Sequence, residues 1–303
     1  MGTRPWRELA AEQAGLLARW QFADAGVTRA FARHQVGAGR WVELTHTVVG
    51  TVTGPLSWEQ RLWLGVLHAG PKALVGGLTA AAQHGLTGWD REAVTVLVDD
   101  ELSFDEVDGV RFFRTRRDLG ALRSARSIPT CRLEPAVLLY AGYWPVTRTA
   151  HGAIAACVQQ RLSTPERFRE WVDRLKPLRG AKGYRALLSD LDGGAHSVAE
   201  IDVRRACKRF GVAPPARQRS RQDRDGKRRW TDCEWDLPGG KVLVLEVDGG
   251  FHLEVLTYGA DMKRQRKLTT RHRTIVRCAA EELRHDPGAV MVDLIDLGVP
   301  RAA

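Results

Sequence analysis

Apolar positions recur at helical spacing near the start of the chain and close up into short unbroken runs toward its end. In RELAAEQAGLL, residues 7–17, Leu9, Gln13 and Leu16 follow a helical period. The next stretch, ARWQFADAGVTRAFARHQVGAG, breaks at Ala25-Gly26, and Thr28 is a good N-cap for a helix beginning at Arg29. GRWVELTHTVVGTV then alternates as a two-stranded wing does. Residues 7–52 thus read as three helices and then a hairpin. A short helix, a glycine turn and a second helix make a helix-turn-helix layout. Its second helix would present Arg29, Arg33, His34 and Gln35, with Arg40 at the wing. A small scaffold or protein-contact module has the same pattern.

Residues 57–192 mix both periods. SWEQRLWLGVLHAG and LVGGLTAAAQHGL predict helices, AVTVLVDD and GVRFFRTRR predict strands, and EPAVLLYAGYW through FREWVDRLK predicts helices. No catalytic constellation stands out there, and His84 reads as structural. DGGAHS, residues 192–197, is the clearest linker-like break. Beyond it the order is α-β-β-β-α-β-α. It begins with the helix SVAEIDVRRACKRFG and the strands RQRSRQ, RRWTDCEWDL and KVLVLEVD. A helix in TYGADMKRQRKLTTR, the strand RTIVRC and the helix DPGAVMVDLIDLG complete it.

Length and composition narrow the class. A chain of 303 residues, 44% hydrophobic and 27% charged, is long enough for two or three globular domains. No apolar run reaches the ~20 residues that span a bilayer. The N-terminus lacks the apolar segment of a secretory signal, and Trp6 stands where myristoylation requires Ser or Thr. A cytoplasmic protein without a membrane partner is expected. Five widely spaced cysteines contain no C-x-x-C pair, so they read as buried reduced thiols.

The net charge of +10 points to a polyanion, although arginine-rich composition alone can raise it. Its distribution is more telling. Residues 203–230 hold eleven Arg or Lys against Asp223 and Asp225, and residues 263–277 hold seven with no acid. The two blocks bracket KVLVLEVDGGFH, a run of the kind buried on both faces of a sheet that nevertheless contains Glu246 and Asp248. In TDCEWDL the acids Asp232, Glu234 and Asp236 alternate and share a face. If Leu237 pairs with Lys241 across Pro238-Gly239-Gly240, Asp232 stands opposite Glu246, with Cβ atoms roughly 4.5–5.5 Å apart. A turn one residue shorter would separate them. Facing carboxylates need a cation, and Mg²⁺ or Mn²⁺ suits oxygen ligands best. The other reading is that these acids face solvent or pair with Arg228, Arg229 or Lys241.

TDCEWDLPGGKVLVLEVDGGFH with DMKRQRKL downstream resembles the PD-(D/E)xK nuclease superfamily, in particular the family related to very-short-patch repair endonucleases. The likeness spans residues 197–300. It implies a restriction-endonuclease-like core that cuts DNA with a divalent metal. By resemblance, Asp232 is the metal-binding acid, Glu246 and Asp248 form the acidic pair of the next strand, and His252 is a general acid or base. Asp261 and Arg264 match the helix motif, Arg264 as a phosphate contact, and Glu200 matches the acid of the first helix. Ser197 and Glu200 also form a capping box, Asp261 also suits a helix start, and His252 also suits a plain loop. No lysine follows Glu246 at the usual place; Lys263 or Lys267 would substitute only if their helix turned inward. The N-terminal stretch, residues 7–90, resembles the winged-helix domain of abortive-infection Ei-type antitoxins, which implies sequence-specific DNA binding and a nucleotidyltransferase toxin as partner.

The expected architecture is therefore α/β overall. A winged helix-turn-helix occupies 1–56, a mixed α+β segment 57–192, and an αβββαβα nuclease-like core 197–303. The expected function is metal-dependent phosphodiester hydrolysis. Asp232, Glu246, Asp248, His252, Glu200 and Asp261 are the catalytic candidates, and Asp232 and Glu246 the metal ligands. Arg29, Arg33, Arg40, Arg228, Arg229, Lys263, Arg264 and Lys267 are the candidates for binding DNA. The alternative is a non-enzymatic regulator that keeps an inactive nuclease fold, with a homodimer left open.

Overall fold

A computed structural model describes residues 5–89, 93–101, 105–143, 147–192, 198–216, 219–222, 228–231, 233–248 and 269–302. The chain is mixed α and β with small sheets, and it divides into two compact units, Met1–Ala181 and Lys182–Ala303. The segments 1–56 and most of 57–192 share the first unit.

In the first unit α1 (Trp6–Glu12) stops where Ala14 and Gly15 take positive φ, 53° and 89°. Two successive left-handed residues cannot continue a right-handed helix. The expected continuation through Leu16 is instead β1 (Leu16–Ala18), with a 3₁₀ turn, Arg19–Gln21, in place of the second helix. The buried Gln13 amide seals this corner: its Nε2 donates to the Leu16 carbonyl at 2.9 Å, and it exchanges hydrogen bonds with Gln21 at 2.7 and 3.1 Å. Next comes α2 (Arg29–Gly37), whose N-cap Thr28 accepts from the Phe31 amide at 3.1 Å as its sequence predicts. β2 (Val42–Glu43) and β3 (Val48–Gly50) complete a sheet ordered β1-β3-β2, all antiparallel. Leu17, Phe22, Val27, Ala32, Trp41 and Val49 form its core.

This portion rests on α3 (Trp58–Ala69). Trp20 Nε1 donates to the Leu67 carbonyl, and Gln60 Nε2 to the Ala14 carbonyl. The helix expected from Leu74 starts later. Leu74–Val75 is a strand, β4, and α4 runs Gly77–Gln83. A Cβ on Gly76 would strike the Leu97 side chain, so glycine lets the strand-to-helix corner close on its neighbour. β4 pairs antiparallel with β5 (Val94–Asp99), which pairs parallel with β6 (Val110–Thr115). The helices α5 (Leu119–Leu122), α6 (Leu133–Tyr143), α7 (Thr147–Gln159) and α8 (Pro165–Arg174) come after them.

The second unit begins within α9 (Ala181–Asp192), which the sequence pattern did not predict, and continues with α10 (Val198–Phe210). β7 (Arg219–Gln222) and β8 (Arg228–Thr231) form an antiparallel ribbon. β9 (Cys233–Leu237), β10 (Lys241–Asp248) and β11 (Arg273–Ala279) form a sheet ordered β11-β10-β9. The β9–β10 pair is antiparallel and β10–β11 parallel. α11 (Glu282–His285) and α12 (Pro287–Asp296) close the chain. The expected helix between β10 and β11 lies outside the described residues. One face of the sheet carries Cys233, Trp235, Leu243, Leu245 and Cys278 into a core with Val203 and Cys207 of α10 and Val290, Met291 and Leu294 of α12. On the other face Val242, Val244 and Ile275 form a smaller apolar patch.

Candidate metal and nucleic-acid site

The Pro238–Gly240 turn sets the register on which the site depends. Lys241 pairs with Leu237, Val242 with Asp236, Leu243 with Trp235, Val244 with Glu234 and Leu245 with Cys233. This is the register that a three-residue turn implies, and Gly239 and Gly240 supply its positive φ values of 74° and 68°. Asp232, the partner expected for Glu246, lies outside the described residues, as do His252, Asp261, Lys263, Arg264 and Lys267. Asp248 closes β10 opposite Ala279.

Period-two alternation sorts the acids onto the face away from the α10–α12 core. Glu234 and Glu246 are buried there, at 1% and 7% exposure, whereas Asp236 is exposed. The solvent-facing alternative thus holds for Asp236 alone of these three. Parallel pairing brings Arg277 of β11 beside Glu246, with Nε donating to Oε2 at 3.3 Å. The other oxygen, Oε1, is buried and has no hydrogen-bond partner among the described residues. The pairing that the sequence offered to Arg228, Arg229 or Lys241 is therefore made, for Glu246, by Arg277. Arg277 belongs to the second basic block but was not singled out. The available signal was an arginine set between Ile275-Val276 and the buried Cys278 in the strand RTIVRC.

A hard dication takes oxygen donors, and the orphaned Oε1 of Glu246 is a donor of that kind. It fits one ligand position of such an ion. Among the described residues no group of three or more His, Cys, Asp or Glu side chains gathers as a complete ligand set. Glu200 is buried in the first turn of α10, on the side that carries Val203 and Cys207 into the core, and its capping partner Ser197 lies outside the described residues.

The basic candidates fall in two places. On β8, Arg229 is registered opposite Arg221 and Arg228 opposite Gln222. On α2, Arg29, Arg33 and His34 are exposed. Arg40 reaches back to that helix, with Nε donating to Gln35 Oε1 at 2.6 Å and Nη2 to His34 Nδ1 at 3.3 Å. The helix and the residues just after it thus present one polar, basic surface.

Several polar groups instead serve packing. His68 is buried, with Nδ1 at 2.8 Å from Thr47 Oγ1 and 3.0 Å from Thr45 Oγ1, and Nε2 donating to the Asp105 carbonyl at 3.0 Å. Burial holds its pKa below the usual imidazole value. His84 donates to the Cys131 carbonyl at 2.9 Å, in keeping with a structural role, and burial lowers its pKa also. Glu134, 1% exposed, accepts from Ser163 at 2.7 Å and Arg167 at 3.1 Å. All five cysteines are free and buried; burial raises Cys131 and pushes Cys157 and Cys207 up to about 12 and about 11. No described helix is long and apolar enough to cross a membrane. No family model matches the chain, and no curated protein matches it.

Proposed function

We propose that the chain is a DNA-binding protein whose second unit is a metal-dependent endonuclease of the PD-(D/E)xK kind, with Mg²⁺ or Mn²⁺ as cofactor. One observation carries the reading: Glu246 sits buried on an internal strand with one carboxylate oxygen unpartnered among the described residues, and basic stretches flank that strand in sequence. A buried oxygen left without a donor is costly, and a cation would relieve it. The order α10, β7, β8–β9, β10, β11, α12 supports the reading as far as it is described, with β7 and β8 paired as a ribbon apart from the β9–β11 sheet. A bound dication would polarise a phosphoryl oxygen and activate water. Glu246 offers the ion a hard oxygen, Asp232 is its expected second ligand, and His252 the expected proton carrier.

The first unit supplies the DNA-reading part of the proposal. Its order α1-β1-α2-β2-β3, with the sheet β1-β3-β2, suits a winged helix. The exposed α2 face with Arg29, Arg33 and the tethered Arg40 would enter a groove. A nucleotidyltransferase toxin is the partner that the resemblance adds.

The second reading is a non-enzymatic regulator. It is favoured by the Glu246–Arg277 ion pair, which places a cation beside the acid without any metal. Cleavage of supercoiled plasmid with Mg²⁺ or Mn²⁺, wild type beside Asp232→Ala, separates the two. Cutting by the wild type and not by the variant supports the nuclease. Cutting by neither favours the regulator, and equal cutting by both removes Asp232 from the site.

A further inference from the structure

The site as expected from sequence makes no use of Arg277. We propose that Arg277 is a positioning residue: it holds Oε2 of Glu246 so that Oε1 is the oxygen presented to a divalent cation. This deepens the metal-site reading and rests on it.

Two features of the contact support the assignment. Glu246 and Arg277 are register partners on parallel neighbouring strands, so both side chains leave the sheet on the same face at the same level. Their contact is single, from Nε to Oε2 at 3.3 Å, and Oε1 is left buried without a described partner. A guanidinium that only neutralised a carboxylate would favour the forked arrangement, engaging both oxygens. The single contact instead fixes the carboxylate's rotation and reserves one oxygen. The Glu246 side chain is 9% exposed and that of Arg277 24% exposed, so the arginine is the outer member and the acid the inner one. Partners that orient a metal ligand through its far atom tune affinity without touching the metal.

The test is calorimetric titration of Mn²⁺ into the full chain as wild type, Arg277→Lys and Arg277→Met. Unfolding midpoints and the half-saturating Mn²⁺ for plasmid cleavage are measured alongside. Lysine keeps the charge but not the planar Nε donor. Positioning predicts that Arg277→Lys stays folded while its Mn²⁺ dissociation constant rises roughly 10- to 100-fold. Half-saturating Mn²⁺ should rise with it, more than kcat at saturating metal falls. Unchanged or tighter Mn²⁺ binding in folded Arg277 variants overturns the proposal, because it makes Arg277 a counter-ion that competes with metal. Should Arg277→Met unfold, the lysine variant decides. If the wild type takes up no Mn²⁺, positioning and metal site fall together. If it takes up Mn²⁺, loses affinity on Arg277→Lys and cuts nothing, positioning stands and the nuclease reading fails alone.

Discussion

Removing a carboxylate from water is expensive even when a cation waits for it, because desolvation offsets most of the Coulombic gain. Glu246 and Glu134 meet that cost differently. Glu134 receives a hydroxyl and a guanidinium on Oε1, an arrangement that reads as structural. Glu246 receives one guanidinium contact, and its Oε1 is buried without a partner among the described residues, which makes it the stronger site candidate. His68 makes a prediction at this same scale. Burial lowers its folded-state pKa against the pull of the Asp105 carbonyl, and His46 and Asp105 are the titratable neighbours that also act on it. The unfolded chain therefore takes up this proton first as pH falls below about 6.5. Stability should be fully retained above that pH, decline below it, and level off beneath the folded-state pKa. Unfolding midpoints measured across this range should fall in the wild type and fall less in His68→Gln. Equal slopes would assign the acid sensitivity to other groups, His84 among them.

Among elements, α2 and the segment that joins it to β2 have a testable role. The Thr28 cap starts the helix, and the buried Ala32 and Trp41 hold it against the small sheet. Its basic side remains open to solvent. Arg40 leaves the chain after the helix has ended, yet its bonds to Gln35 and His34 return it to the helix surface. Replacing Arg33 and Arg40 together by alanine should weaken binding to a specific duplex by at least tenfold in a titration, since arginine contacts to base edges each contribute about 1–3 kcal/mol. The unfolding midpoint should move little, because both residues are exposed. Undiminished binding would make this surface a protein-contact module. α1 shows where local pattern stops short: Leu9, Gln13 and Leu16 keep a helical period, but Ala14 and Gly15 turn the chain, and Leu16 serves a strand. The Gln13–Gln21 exchange that stabilises this corner joins residues whose meeting no helical period reveals.

For the molecule as a whole, the net charge of +10 is either a nucleic-acid footprint or a compositional accident, and salt distinguishes them. Each phosphate contact releases counterions, so a footprint of about six contacts should lose roughly a thousandfold in DNA affinity between about 50 and about 200 mM salt. A flat response would leave the basic blocks as solvated surface. The β9–β10 register was legible as the pairing a three-residue Pro-Gly-Gly turn implies, and it keeps Trp235, Leu243 and Leu245 on a single buried face. The Thr28 cap and the burial of the cysteines were legible for similarly local reasons. Arg277 was not: parallel strands meet through a long crossover, and nothing local says that residue 277 aligns with residue 246. Nor does sequence show which oxygen of a buried acid is used. Spacing and turn chemistry, which act over a few residues, determined the faces and the strand pair, while the partner of Glu246 was decided only when β11 closed against β10 and chain-distant charges shared one side of the sheet.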